Sequence, residues 1–139
     1  MDDPYDLKRF IDAQEPSYAR ALEELRAGRK QTHWIWYVFP QIGGLGSSPT
    51  AQRFSIRSLE EASAYLAHPV LGQRLREATQ AVLDLQGRSA HDIFGSPDDL
   101  KFRSCMTLFE RAAAEPRLYA LALDRYYDGE RDQETLKRL

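Results

Sequence analysis

The chain predicts an all-α fold: a single compact helical domain over residues 1–139, with about seven short to medium helices packed around a central one. Three observations carry that prediction. Apolar residues recur at three- and four-residue spacing through most of the chain, the period of a helix with one buried face. Six of the seven prolines stand at or beside a plausible helix start, where a missing N–H leaves nothing unpaired. The one β-prone run has no convincing second strand to pair with, and a lone strand leaves its backbone groups unsatisfied.

Taken in order, Leu7, Phe10 and Ile11, then Tyr18, Leu22 and Leu25, predict two short amphipathic helices, with Gly28 as the stop after the second. The run Thr32 to Phe39 is aromatic and β-branched, and it is read as a buried helix. Gly43-Gly44-Leu45-Gly46 forms a loop before Ser48-Pro49, a further helix start. Ser58-Leu59-Glu60-Glu61 has the form of a capping box, opening a helix through Ala62, Tyr65 and Leu66. His68-Pro69 closes it, with His68 as a structural cap, and the next helix follows.

From Pro69 to Gln86, Val70, Leu71, Leu75, Ala78, Val82 and Leu85 keep helical period over about five turns, and Gly87 ends the segment. Ser89 to Phe94 reads as a short turn before Gly95. A second long helix begins at Pro97, its first turn carrying Asp98 and Asp99 to suit the macrodipole. Pro116 to Tyr127 and the tail after Asp132 complete the set.

Composition removes several function classes. A chain 42% hydrophobic with an ordinary charge content is no disordered segment. Lys and Arg number 19 against 21 Asp and Glu, so the net charge of −2 gives no field to gather nucleic acid or an acidic membrane. Cys105 is the only cysteine, which rules out an intrachain disulfide or a cysteine-based zinc site, and its core-type neighbours mark it as a buried hydrophobe. His33, His68 and His91 lie far apart and in no ligating pattern, so neither metal nor cofactor is expected. The acidic start lacks the basic region of a signal peptide, and the longest apolar run, Trp34 to Phe39, is too short for a membrane span, so a cytoplasmic location is expected.

Two regions could carry chemistry. In the first, Lys30, His33, Gln41, Ser47 and Ser48 flank the aromatic block and the glycine loop. Gly44 and Gly46 would let backbone N–H groups approach an anion, and Ser48-Pro49 adds a helix N-terminus. The loop lacks the Lys-Ser or Lys-Thr pair of a Walker sequence, and glycines more often mark a flexible turn joining two helices than a phosphate site. In the second, Lys101, Ser104, Thr107 and Arg111 share about a third of the circumference of the helix from Pro97. That stripe is either a solvated face or a pocket wall on which hydroxyls and cations converge on an anion. His33 is the natural general acid or base if the first region lines a pocket. Of the two tryptophans, one belongs to the core and Trp36 is the candidate to stack on a ligand ring.

Four blocks carry a resemblance: His33-Trp34-Ile35-Trp36-Tyr37-Val38-Phe39-Pro40-Gln41, Gly44-Leu45-Gly46-Ser47-Ser48, Ala64 to Gly72, and Lys101-Phe102-Arg103-Ser104-Cys105-Met106-Thr107-Leu108-Phe109. They are similar to the signature blocks of the bacterial domain-of-unknown-function 1810 family. The resemblance implies an all-helical fold and no reaction; the family's polar positions correspond to His33, Gln41, Ser47, Ser48, His68, Lys101, Ser104 and Thr107. The leading expectation is a pocket for a phosphorylated small molecule, a nucleotide or ADP-ribose-like compound, with hydrolase or transferase chemistry open to it. There Lys101 neutralises the anion. The alternative is a non-catalytic protein-interaction or self-association module, in a chain that is a monomer or homodimer.

Overall fold

The computed structural model describes residues 2–139, and among them the chain forms ten helices and no strand. In chain order they are α1 (Lys8–Gln14), α2 (Tyr18–Ala27), α3 (Ile35–Val38), α4 (Pro49–Arg53) and α5 (Leu59–Ala67). The second half adds α6 (Leu71–Leu83), α7 (Ala90–Phe94), α8 (Asp98–Ala112), α9 (Arg117–Tyr127) and α10 (Gln133–Lys137). The count is ten against about seven expected; α3, α4, α7 and α10 are only four or five residues long, and α7 lies where a turn was expected. A single turn is too short for a hydrophobic period to register.

Helix α8 is the central one. Phe102, Cys105, Met106, Leu108 and Phe109 are all fully buried, and α5, α7, α9 and α10 pack around it. Helix α6 forms a second layer against α2, α5 and α9. The core they enclose is continuous and threaded by aromatic contacts: Phe94 stacks on Phe102 at 4.6 Å, and Phe39 meets Phe102 edge-on at 4.9 Å. Contacts of this kind each add about 0.5–1.5 kcal/mol beyond area burial.

Local chemistry explains most boundaries. Gly28 ends α2 in the left-handed conformation at φ +81°, where a side chain would be strained. Pro49 occupies the first position of α4, and Pro97 and Pro116 immediately precede α8 and α9. His68 caps the next helix through Nδ1, which accepts the N–H groups of Val70 at 3.1 Å and Leu71 at 3.3 Å.

Three local expectations change. The aromatic run contributes a single helical turn, α3, because its first residues are held in an irregular approach by the buried Glu24 carboxylate. That carboxylate accepts the N–H groups of Gln31 and Thr32, the Thr32 hydroxyl and the Trp34 indole. At Ser58 half of the expected box forms: Ser58 Oγ accepts the Glu61 N–H at 3.1 Å, but the Glu61 carboxylate turns inward to Arg9 at 2.7 Å. The complete box lies in the segment expected to be a turn, α7, where Ser89 and Asp92 exchange bonds at 3.0 Å each way. No helix among the described residues is long and apolar enough to cross a membrane.

Candidate functional site

A cleft of about 530 Å³ opens between the segment around the glycine loop and the first turns of α8, with the start of α10 as its third wall. Its base is fixed by one backbone pairing. Ile56 donates to the Gln41 carbonyl at 2.8 Å and Gly43 donates to the Ile56 carbonyl at 2.7 Å, so residues 43–55 form a closed excursion. The glycine loop and α4 occupy that excursion. Of the residues expected in a site, Trp36, Gln41, Gly44, Gly46, Ser47, Ser48, Lys101 and Ser104 line the cleft; Lys30, His33 and Thr107 do not.

Lys101 is held in place from two sides. Its Nζ lies 3.3 Å from Asp98 Oδ1 and 4.5 Å from the centre of the Trp36 ring. Asp98 is itself shared, its Oδ2 meeting Lys30 Nζ at 2.8 Å. Lys30 is thus excluded from the cleft but anchors the carboxylate that anchors Lys101. Two cations share one carboxylate, which leaves the group with a net positive charge facing the cleft through Lys101. Trp36 gives a face to that ammonium, an attraction of about 0.5–2 kcal/mol. Trp34, as expected for one of the pair, is in the core.

His33 stands outside the cleft. It lies in the exposed approach to α3, one residue before Trp34, and helical geometry begins only at Ile35, so Trp36 turns inward while His33 stays in solvent. Its expected acid–base role therefore has no geometric support. Thr107 is fully buried: its hydroxyl donates to the Arg103 carbonyl at 2.9 Å and accepts the Asp132 N–H at 3.0 Å. Ser104 Oγ lies 3.0 Å from Asp132 Oδ2. The middle of the α8 polar stripe, Ser104 and Thr107, is thus the seat on which the C-terminal segment docks, while Lys101 at its start faces the cleft. Arg111, farther along α8, is exposed.

One member of the expected phosphate cradle, the Ser48 hydroxyl, is engaged locally. Ser48 Oγ is taken by the Ala51 N–H at 3.1 Å, Pro49 has no N–H, and α4 is a single five-residue turn. Gly43 spends its N–H on Ile56. Gly44 is favoured by its positive φ, and Gly46 by close approach. A Cβ on Gly44, whose φ is +95°, would lie 2.8 Å from Arg138 Nε, and one on Gly46 would lie 2.9 Å from the Ala51 Cβ. Arg138 reaches the Gly44 carbonyl at 3.3 Å, joining the tail to the loop.

Four residues of the site were not legible as such: Asp98, Leu100, Asp132 and Glu134. Leu100 is 55% exposed and lines the cleft. Asp132 and Glu134 bring carboxylates to the same cavity. Hydrogen bonds from Lys137 and then Arg138 hold the Glu134 carboxyl below its usual range. Burial pushes the Cys105 thiol up, so it is no nucleophile. Among the described residues no group of His, Cys, Asp and Glu could hold a metal ion.

The profile of the family described as "Protein of unknown function (DUF1810)" matches residues 4–139. The chain belongs to this family. A crystal structure of the conserved hypothetical protein Rv1873 from Mycobacterium tuberculosis superposes with a TM-score of 0.97 at 56% sequence identity, covering 99% of this chain and 98% of that one. The likeness therefore takes in both the glycine loop and the C-terminal wall of the cleft, and it fixes the all-helical fold of this DUF1810 chain. The curated proteins include no match.

Proposed function

We propose that the cleft binds a phosphorylated small molecule that carries a ring, of nucleotide or ADP-ribose-like type. The observation that carries the reading is the fixed Lys101 ammonium at the mouth of a cavity with apolar walls. Asp98 and Trp36 hold the charge in place, so an arriving anion need not order a free lysine chain, and that saved entropy favours binding. Phe54 and Ile42 with the exposed Leu100 supply the apolar surface against which a ring packs. The cleft's volume of about 530 Å³ falls within the range of small-molecule sites.

In this reading the anion meets the Lys101 ammonium. Any hydrolase or transferase chemistry would draw on Lys101, Asp132 and Glu134, the charged groups in the lining. The test is thermal denaturation with AMP, ADP-ribose and ribose 5-phosphate. The midpoint of the wild type is expected to rise with ligand concentration, and Lys101→Met, which keeps the stem over Trp36, is expected to weaken binding about tenfold or more. No shift at millimolar ligand, or an equal shift in Lys101→Met, would contradict the proposal.

A further inference from the structure

One carboxylate stands between two lysines. Asp98 Oδ2 meets Lys30 Nζ at 2.8 Å, and Asp98 Oδ1 meets Lys101 Nζ at 3.3 Å. Each ammonium also lies over a tryptophan, Lys30 5.2 Å from the centre of the Trp34 ring and Lys101 4.5 Å from that of Trp36. The two lysines differ in where they end. The Lys30 side chain is only 6% exposed and takes no part in the lining of the cleft, whereas that of Lys101 is 24% exposed and belongs to it.

Asp98 and Trp36 would be enough to hold the Lys101 stem in place. A buried ammonium at Lys30 adds a desolvation cost that one ion pair offsets only in part, so its presence calls for a second role. What Lys30 changes is charge. Asp98 with Lys101 alone is a neutral pair, and with Lys30 the three groups carry one net positive charge. The shorter contact commits Asp98 to Lys30, on the side away from the cleft. Nothing else in the lining supplies positive charge. Lys101 is the one cation among the described residues there, and the acidic groups already have partners, Asp132 in Arg103 at 3.6 Å and Glu134 in Lys137 at 3.1 Å and Arg138 at 3.2 Å.

Resting on the reading of the cleft as a phosphorylated-ligand site, we infer that Lys30 is a positioning residue that acts on the ligand through Asp98: it occupies the carboxylate, so that the Lys101 ammonium keeps its charge for a phosphate. The affinity for a phosphate then follows the summed charge of Lys30, Asp98 and Lys101, although Lys30 and Asp98 lie outside the lining.

Calorimetric titration of AMP into three proteins tests this. Lys30→Met, whose stem keeps its place over Trp34, leaves Asp98 to Lys101 alone and should bind AMP about tenfold or more weakly than the wild type. The double variant Lys30→Met, Asp98→Asn restores the single net positive charge and should return to within about threefold of the wild type. Neither variant strands a buried charge, since Asp98 keeps Lys101 in the first and is itself neutralised in the second. An unmoved Trp34 indole N–H resonance checks that the fold around Lys30 is intact. A merely structural role for Lys30 would give no recovery. Wild-type affinity in Lys30→Met would therefore overturn the inference and leave the phosphate reading standing. So would a double variant that stays about tenfold weaker than the wild type, because Asp98 would then matter for its contacts and not for its charge. If the wild type does not bind AMP at all, the cleft reading fails and takes this inference with it.

Discussion

Replacing Arg9 with methionine is expected to destabilise the protein by about 3–5 kcal/mol, a drop in melting temperature on the order of 10–20 °C. Arg9 and Glu61 form an ion pair at 2.7 Å with side chains only 5% and 1% exposed. The guanidinium also donates to the carbonyls of Tyr5, Asp6, Arg53 and Ser55 at 2.6–2.8 Å. Removing it strands a buried carboxylate and four backbone acceptors together. The double variant Arg9→Met, Glu61→Leu should recover part of the loss, since the lone buried charge is then gone. Urea denaturation of the single and double variants measures both; a single variant within 1 kcal/mol of the wild type would show that the pair is dispensable. The effect reaches the cleft, because Arg53 and Ser55 bracket Phe54, which lines it.

The second large effect is a pH dependence centred on Glu24. Burial by itself would raise this carboxyl, but the bonds from the Gln31 N–H, the Thr32 hydroxyl, the Trp34 indole and the Thr32 N–H outweigh it and hold the group down at about 2. A depressed folded-state value means that the contribution to stability is fully present above the ordinary glutamate range. It is lost as pH falls from about 4.5 towards 2. The gap corresponds to about 3 kcal/mol at neutral pH. Glu24→Gln should therefore be less stable than the wild type by about that much at pH 7 and nearly equal to it at pH 2, as followed by urea midpoints across that range. A difference that is constant with pH would show that the loss comes from shape and not from charge. The segment that Glu24 organises runs directly into α3, so the same substitution should loosen Trp36 and, through it, Lys101.

These two residues also show where a sequence is silent. The helix starts, the glycine stop at Gly28, the His68 cap and the periods of α6 and α8 were legible because each depends on residues within a turn or two of one another. Arg9 looks like any polar residue of an amphipathic helix. Its importance comes from carbonyls 44 and 46 residues away, which no local pattern records. The joining of the glycine loop to the polar stripe was anticipated, and Lys101 and Ser104 do face the same cavity as Ser47 and Ser48. The stripe's real occupant was hidden, because only the fold shows that the tail from Asp132 lies across it. His33 was overvalued for the converse reason: its chemistry suits a site, but its position before the first helical residue turns it to solvent.

The central claim, that a phosphorylated ring compound occupies the cleft against Lys101, is tested most directly by the two indole N–H resonances in a ¹H–¹⁵N spectrum titrated with AMP. The chain has only two tryptophans, Trp34 sealed in the core with its N–H on Glu24 and Trp36 in the cleft beneath the Lys101 ammonium. The account predicts that the Trp36 signal moves and saturates while the Trp34 signal stays still, and that Lys101→Met suppresses the movement. Both signals remaining fixed at saturating millimolar AMP, or an unchanged response in Lys101→Met, would contradict it.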